Sequence, residues 1–424
     1  MTPEELSVFK QKALFWANQS EVCCCLDSNS YVNDPYKKYD FLIAAGARQQ
    51  LTATAGTAFD QLREFRLLHQ QWMFGFLGYD LKNELEDLRS IHTSGLDFPD
   101  LFFFVPEYLI KITGGVPKVI LGPDDLIEQI LSLVLPARKS VPPANVQAKM
   151  SRASYLTKVE ELRASILQGN IYEINFCQEF FALEAEIDPY QVFMDLNRLS
   201  PTPFAGFFKW QDQYILSASP ERFLCKRGEK LYSQPIKGTA KRSPEPEKDL
   251  EIKTVLQQDV KERAENVMIV DLVRNDMTRC AKQGSVKVEE LFGIYTFPQV
   301  HQMISTVSCT LNSAVHPVEA IKAIFPMGSM TGAPKLRAME LIDNKELSRR
   351  GIYSGAMGYF DDQDDFDFNV VIRSILYNHR QQYLSFQVGG AITYASRPQA
   401  EYEECLVKAS AIVATLNMNN APAS

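Results

Sequence analysis

Histidine is scarce in this chain: there are five in 424 residues, and none is spaced with the others or with the eight cysteines as zinc ligands would be. No Cys-x-x-Cys pair occurs. The cysteines at 23, 24, 25, 177, 225, 280, 309 and 405 read as reduced thiols, and Cys23-Cys24-Cys25 reads as a strand segment whose side chains alternate between faces. Basic residues are in deficit, 44 Lys and Arg against 52 Asp and Glu, and they are scattered, which excludes a nucleic-acid footprint. Apolar runs such as 101–105 and 267–270 fall far short of the roughly 20 residues that a membrane span needs. The first twenty residues mix Glu4, Glu5, Lys10 and Lys12 with apolar side chains and lack the apolar core of a signal peptide, so a cytoplasmic protein is expected. What remains is a composition of 46% hydrophobic and 23% charged residues, enough for two domains or for one large α+β fold.

Composition shifts between Pro136 and Gln147, where prolines replace core residues, and predicts a linker with a boundary near 140. The parts are thus 1–140, where short strands alternate with turns, and 147–419. The second part opens on a helix with Tyr155, Val159, Leu162 and Ile166 at helical steps, stopped by Gly169-Asn170 before a strand over 171–181. A long helix is expected from Pro246 to about Cys280, and another over 399–416.

The chemistry centres on Pro235-Ile-Lys-Gly-Thr239. Proline fixes its own φ and glycine admits close backbone approach, so the two can hold the Lys237 stem in one direction inside a cleft. An ordinary lysine is protonated and solvated. Here Ser219-Pro-Glu221-Arg222 precedes it by sixteen positions, and Glu262 and Glu265 follow on one helical face. The last helix repeats the spacing with Glu401, Glu404 and Lys408. A single Glu-x-x-Glu pair is ordinarily a solvated face, but two such helices meeting would repel unless a cation lay between them. Oxygen-only ligands select a hard ion such as Mg²⁺.

Gly328-Ser-Met-Thr-Gly332-Ala-Pro-Lys335 departs from the spacing of a nucleotide-binding P-loop and reads as a tight turn whose amides face a carboxylate. Arg373 stands alone in an otherwise apolar strand expected over 369–374, a position that implies either a buried acid or a carboxylate ligand. Gln387-Val-Gly-Gly390 is a strand end opened by glycine. Together these features point to a carboxylate-bearing substrate held by Arg373, Mg²⁺ and backbone amides.

Six motifs in order, over 151–415, resemble the chorismate-utilising enzymes. They are Gly169-Asn-Ile-Tyr-Glu-Ile-Asn175, Ser219-Pro-Glu221, Pro235-Ile-Lys-Gly-Thr239, the segment from Glu262 to Asp276, Gly328 to Lys335, and Glu401-Tyr-Glu-Glu404. The resemblance implies one large α+β body, a two-layered, mainly antiparallel β-sandwich flanked by helices. The residue before Gly238-Thr239 divides the family: alanine is usual where anthranilate, isochorismate or salicylate forms, and lysine where chorismate is aminated at carbon 4. Lys237 points to the aminodeoxychorismate synthases.

By the same resemblance Lys237 is the covalent nucleophile, Glu221 the acid that protonates the departing 4-hydroxyl, and His301 and Thr239 further catalytic residues. Mg²⁺ is expected on Glu265 and Glu404, with Glu262 and Glu401 as direct or water-mediated neighbours. Arg373, Gly389 and Gly390 would hold the enolpyruvyl carboxylate, and Lys408 would lie near the ring carboxylate. Chemistry requires Glu221 with a raised pKa and Lys237 as a neutral amine, and burial favours both. Glu173 departs from the glutamine or lysine usual at its position, and Ala391 and Ala395 from a glycine and an aspartate. No amidotransferase signature occurs, so ammonia is expected from a separate glutamine amidotransferase subunit. Leu26-Asp27-Ser28 departs from the pattern of tryptophan-binding relatives, and no tryptophan binding is expected. Two alternatives are an anthranilate synthase component I and a non-catalytic chorismate-binding paralogue.

Overall fold

The computed structural model describes residues 1–138 and 141–418. Residues 139, 140 and 419, on which the expected boundaries fall, lie outside them. The chain builds strands β1 (Val22–Asp27), β2 (Phe41–Ala53), β3 (Met73–Leu77), β4 (Leu101–Thr113), β5 (Val116–Leu121), β6 (Gln147–Ala148), β7 (Glu173–Ala182), β8 (Phe204–Trp210), β9 (Gln213–Ser219) and β10 (Arg222–Arg227). They are followed by β11 (Lys230–Gln234), β12 (Ile236–Lys241), β13 (Lys287–Thr296), β14 (Val300–Thr310), β15 (Gly332–Ala333), β16 (Ala356–Phe360), β17 (Phe366–Val370), β18 (Ser374–Asn378) and β19 (Tyr383–Ile392). Helices are α1 (Pro3–Ala17), α2 (Ala58–Leu68), α3 (Lys82–Leu85), α4 (Leu126–Ser132), α5 (Arg152–Leu167) and α6 (Pro189–Leu199), then α7 (Pro246–Gln258), α8 (Val260–Thr278), α9 (Pro317–Ile324), α10 (Lys335–Lys345) and α11 (Pro398–Met418).

All strand pairs are antiparallel, and they run in two series that share β4. One series passes from β4 through β2, β1, β8, β9, β18 and β19 to β7. The other passes from β4 through β3, β16, β17, β10 and β11 to β14, which also pairs with β12 and β13. Strands from before and after residue 140 therefore lie side by side.

Side-chain alternation along the first series divides the apolar residues between two cores. Leu42, Ala44, Phe208, Ile215 and Leu376 join Phe74, Phe76, Met357 and Phe368 of the second series. Phe41, Ile43, Phe207, Leu216 and Ile375 face the other way, onto apolar side chains of α1, α5, α6 and α11. The cysteine run obeys the same rule: Cys24 enters the first core, Cys23 and Cys25 the second, and all three are free and buried. No helix among the described residues is long and apolar enough to cross a membrane.

Two expectations are corrected. The helix expected over 246–280 is broken at Asp259, whose extended backbone (ψ 118°) ends α7 and whose carboxylate accepts the Glu262 N–H as the N-cap of α8. Arg373 is not in a strand; it lies between β17 and β18 at φ +53°, a conformation uncommon for a side-chain-bearing residue.

Candidate active site

Two strand connections cross between the series side by side. Ser219-Pro220-Glu221 carries the chain from β9 to β10, and the segment 371–373 carries it from β17 to β18. They are tied together where the Val370 N–H donates to Glu221 O and the Ala218 N–H to Arg373 O. The starts of β7 and β12 and the end of β19 lie with α8 and α11 in the same region.

Lys237 occupies the second position of β12. Gly238 follows at φ +87°, which glycine adopts freely, and the register against β14 shifts between Ile236 and Thr239. A Cβ at position 238 would stand 3.1 Å from Oε2 of Glu262, so this irregularity brings α8 against the strand that carries the lysine. Lys237 is 9% exposed, and its Nζ donates to Oε1 of Glu173 at 2.5 Å. Burial opposes the ammonium form, but Glu173, Glu265 and Glu221 outweigh it, and the net shift of the Lys237 pKa is upward. The expected neutral amine is thereby corrected: resting Lys237 keeps its proton because three carboxylates share its burial.

Glu221 is 4% exposed, and burial pushes its pKa up to about 7 against the opposing effects of the Ser329 hydroxyl, Lys237 and the Ile236 N–H. The Ser329 hydroxyl lies beside this carboxylate but meets no partner at full hydrogen-bond geometry. A carboxyl group that titrates near neutrality next to an ammonium is thus built into the β9–β10 crossover.

Helices α8 and α11 present their carboxylates to one another. Glu265 is buried, its pKa is pushed up to about 7 chiefly by burial, and its Oε1 has no hydrogen-bond partner. Burial also raises the pKa of Glu262 and Glu401. For Glu404 burial is overcome by Lys408, 2.6 Å away, and the shift is downward. The Lys261 ammonium spans the helices, 3.7 Å from Glu265 and 3.9 Å from Glu401.

Gly390 faces this cluster: a Cβ there would stand 3.4 Å from Oε1 of Glu404, 3.6 Å from Oε2 of Glu401 and 3.6 Å from Nζ of Lys408. Lys408 also donates to Gly389 O at 2.8 Å. All donors are hard oxygens and one, Oε1 of Glu265, is buried without a hydrogen-bond partner, which suits Mg²⁺. As they stand, no three His, Cys, Asp or Glu side chains among the described residues close on one point as metal ligands, and Lys261 supplies the positive charge.

The Arg373 guanidinium makes no hydrogen bond or ion pair among the described residues, and burial pulls its pKa down. An unpaired guanidinium of this kind is suited to an anionic ligand.

Other expected site residues are engaged elsewhere. His301 on β14 is 2% exposed, with Nε2 3.0 Å from Asp249 of α7 and Nδ1 3.0 Å from the Thr296 hydroxyl. These contacts fasten α7 to the sheet and leave neither ring nitrogen directed at Lys237. Thr239 is exposed. Sequence reasoning missed that Glu173 is the partner of Lys237, that Ser329 flanks Glu221 and that Lys261 bridges the glutamates. Of these only Glu173 gave a signal, as a departure from the family pattern.

The model for chorismate binding enzymes matches residues 20–414, and the chain belongs to that family. It is 31% identical over 419 residues to aminodeoxychorismate synthase component 1 of Escherichia coli, covering 92% of each chain. The protein of that name from Salmonella typhimurium is 36% identical over 344 residues, 80% of this chain and 75% of the relative. Among solved structures, anthranilate synthase component I from Streptococcus pneumoniae superposes with a TM-score of 0.78 at 26% identity, covering 90% of this chain and 94% of that one.

Proposed function

We propose that this chain aminates chorismate at carbon 4, giving 4-amino-4-deoxychorismate for 4-aminobenzoate and folate synthesis. The observation that carries the reading is a buried lysine at the position that divides the family, in the field of a carboxyl group with a pKa near 7. Relatives named aminodeoxychorismate synthase component 1 support it.

In this reading the neutral Lys237 amine adds to carbon 2. The ring double bonds shift, the bond from carbon 4 to its hydroxyl breaks, and the proton of Glu221 leaves with the hydroxyl as water. Ammonia then attacks carbon 4, the double bonds shift back, Lys237 is expelled and Glu221 recovers a proton from the new ammonium. One difficult displacement thus becomes two easier ones. Arg373, with the backbone at Gly389 and Gly390, holds the enolpyruvyl carboxylate, and Lys408 lies near the ring carboxylate.

Glu265 and Glu404, with Glu262 and Glu401 beside them, are the residues that would hold Mg²⁺, which when bound neutralises the ring carboxylate. Glu265→Gln is expected to raise the Mg²⁺ concentration for half-maximal activity by about tenfold or more. Chorismate titrated calorimetrically with and without Mg²⁺ gives a second readout, and unchanged Mg²⁺ dependence in both removes the assignment.

The name component 1 carried by the relatives implies a second component. A separate glutamine amidotransferase subunit is the proposed source of ammonia. The test is mass spectrometry of products after the purified chain has met chorismate, Mg²⁺ and ammonium at mildly alkaline pH. Aminodeoxychorismate upholds the reading; anthranilate, aminated at carbon 2 with loss of pyruvate, or isochorismate overturns it. Steady ammonia-dependent turnover also disposes of a non-catalytic paralogue.

A further inference from the structure

Lys237 meets the substrate from a resting state unsuited to nucleophilic attack, because its Nζ is an ammonium held by Glu173. We propose that Glu173 is the proton acceptor of Lys237, positioning its Nζ and taking one proton from it as the amine adds to the ring. This rests on Lys237 being the nucleophile.

Glu173 is 1% exposed at the first position of β7. Its backbone is fixed by pairing with Ala333 of β15, and the preceding Tyr172 N–H donates to Ala333 O. Oε1 receives the Lys237 proton at 2.5 Å, while Oε2 is buried without a hydrogen-bond partner. A buried carboxylate oxygen left unspent is unfavourable unless another state of the site employs it.

The other charged groups facing Lys237 are Glu221 from the β9–β10 crossover, Glu262 and Glu265 from α8, and Glu404 from α11. None pairs with Nζ within 4.0 Å; the ion pairs of Glu265 and Glu404 are to Lys261 and Lys408. Glu221 must arrive protonated to release the hydroxyl, so it cannot also receive the lysine proton. Glu173 is the remaining acceptor in contact.

The step balances within the pair. An Nζ–H bond breaks with its electrons left on nitrogen, an O–H bond forms on Glu173, and that electron pair makes the bond to carbon 2. The pair is neutral overall before and after, and in a cleft from which substrate has expelled water the uncharged form gains over the ion pair. When the adduct expels Lys237 as a neutral amine, Glu173 returns the proton.

Glu173→Gln keeps the size and a hydrogen-bond acceptor for Nζ but removes the base. The expected result is a kcat lowered about 10²-fold at pH 7 with chorismate KM within about threefold. The lysine must then lose its proton to solvent, so the ratio of E173Q to wild-type kcat rises about tenfold per pH unit from pH 7 to 9. Taking the ratio cancels the titration of Glu221. Glu173→Asp, with a carboxylate one methylene shorter, loses rate but keeps a ratio to wild type that does not vary with pH.

A kcat for E173Q within twofold of wild type, or a ratio flat with pH, overturns the proposal while leaving Lys237 as nucleophile. Failure of that underlying reading looks different: Lys237→Ala would itself retain amination.

Discussion

Lys237→Ala is expected to lower ammonia-dependent turnover of chorismate by on the order of 10⁴-fold or more, because the covalent route is removed and not merely slowed. Chorismate binding should survive, since Arg373, Lys408 and the carboxylate-bearing helices are untouched. The substitution also leaves Glu173 buried without its partner, and breaking a buried ion pair from one side costs about 3–5 kcal/mol. The variant must therefore be assayed well below its own Tm, with folding checked by circular dichroism. Mg²⁺-dependent chorismate binding with no product fits a nucleophile. Loss of binding in a folded variant would make Lys237 a binding residue instead.

Glu221→Gln is expected to lower turnover about 10³-fold by removing the acid that protonates the departing hydroxyl. It should also change stability in the opposite sense. The folded-state pKa of Glu221, about 7, lies above its ordinary 4.5, so between these values the folded protein binds more protons than the unfolded chain. Stability then falls as pH rises from about 4.5 to 7 and is flat above, and the charged form carries a penalty of about 3 kcal/mol at pH 8. Glutamine does not ionise. Relative to wild type, E221Q should therefore gain about 2–3 kcal/mol in urea denaturation between pH 5 and pH 8. Glu265 has a shift of the same sign, but it is common to both proteins and cancels in the difference. A difference that does not move with pH would mean that Glu221 is ionised in the folded protein, and its role as acid would fall with it. Turnover lost while stability is gained is the exchange expected where a site keeps an ionisable group out of water.

The parts of this site legible in the sequence were those carried by periodicity within one element. Glu262 with Glu265, and Glu401 with Glu404 and Lys408, could be placed on helical faces because α8 and α11 supply a fixed 3.6-residue repeat. The opposite burial of Cys24 and its neighbours followed likewise from the two-residue repeat of a strand. Pairing between elements left no such mark. Glu173 and Lys237 are separated by 64 positions, and only the meeting of the ends of β7 and β12 joins them.

Local chemistry misled in two places. Apolar side chains continue at helical spacing past Asp259, so the interruption rests on one side chain competing for an N–H. Arg373 follows three apolar residues that read as strand, yet the chain must turn there to pass from one layer to the other. His301 shows the converse: a motif position identified the residue but not its neighbours, and the structure gives both ring nitrogens to α7 and β13.

The pairing of the two crossovers has a consequence for how the protein opens. Loops that carry active-site groups ordinarily belong to the least stable part of a protein and exchange their amide hydrogens by local fluctuation. Here the Val370 and Ala218 amides, which donate to the carbonyls of Glu221 and Arg373, lie where the chain enters and leaves both layers. They cannot be released unless the layers part. Their exchange with deuterated solvent should be as slow as that of the central strands and should quicken only when denaturant unfolds the whole body, so that the acid and the arginine persist or vanish with the fold.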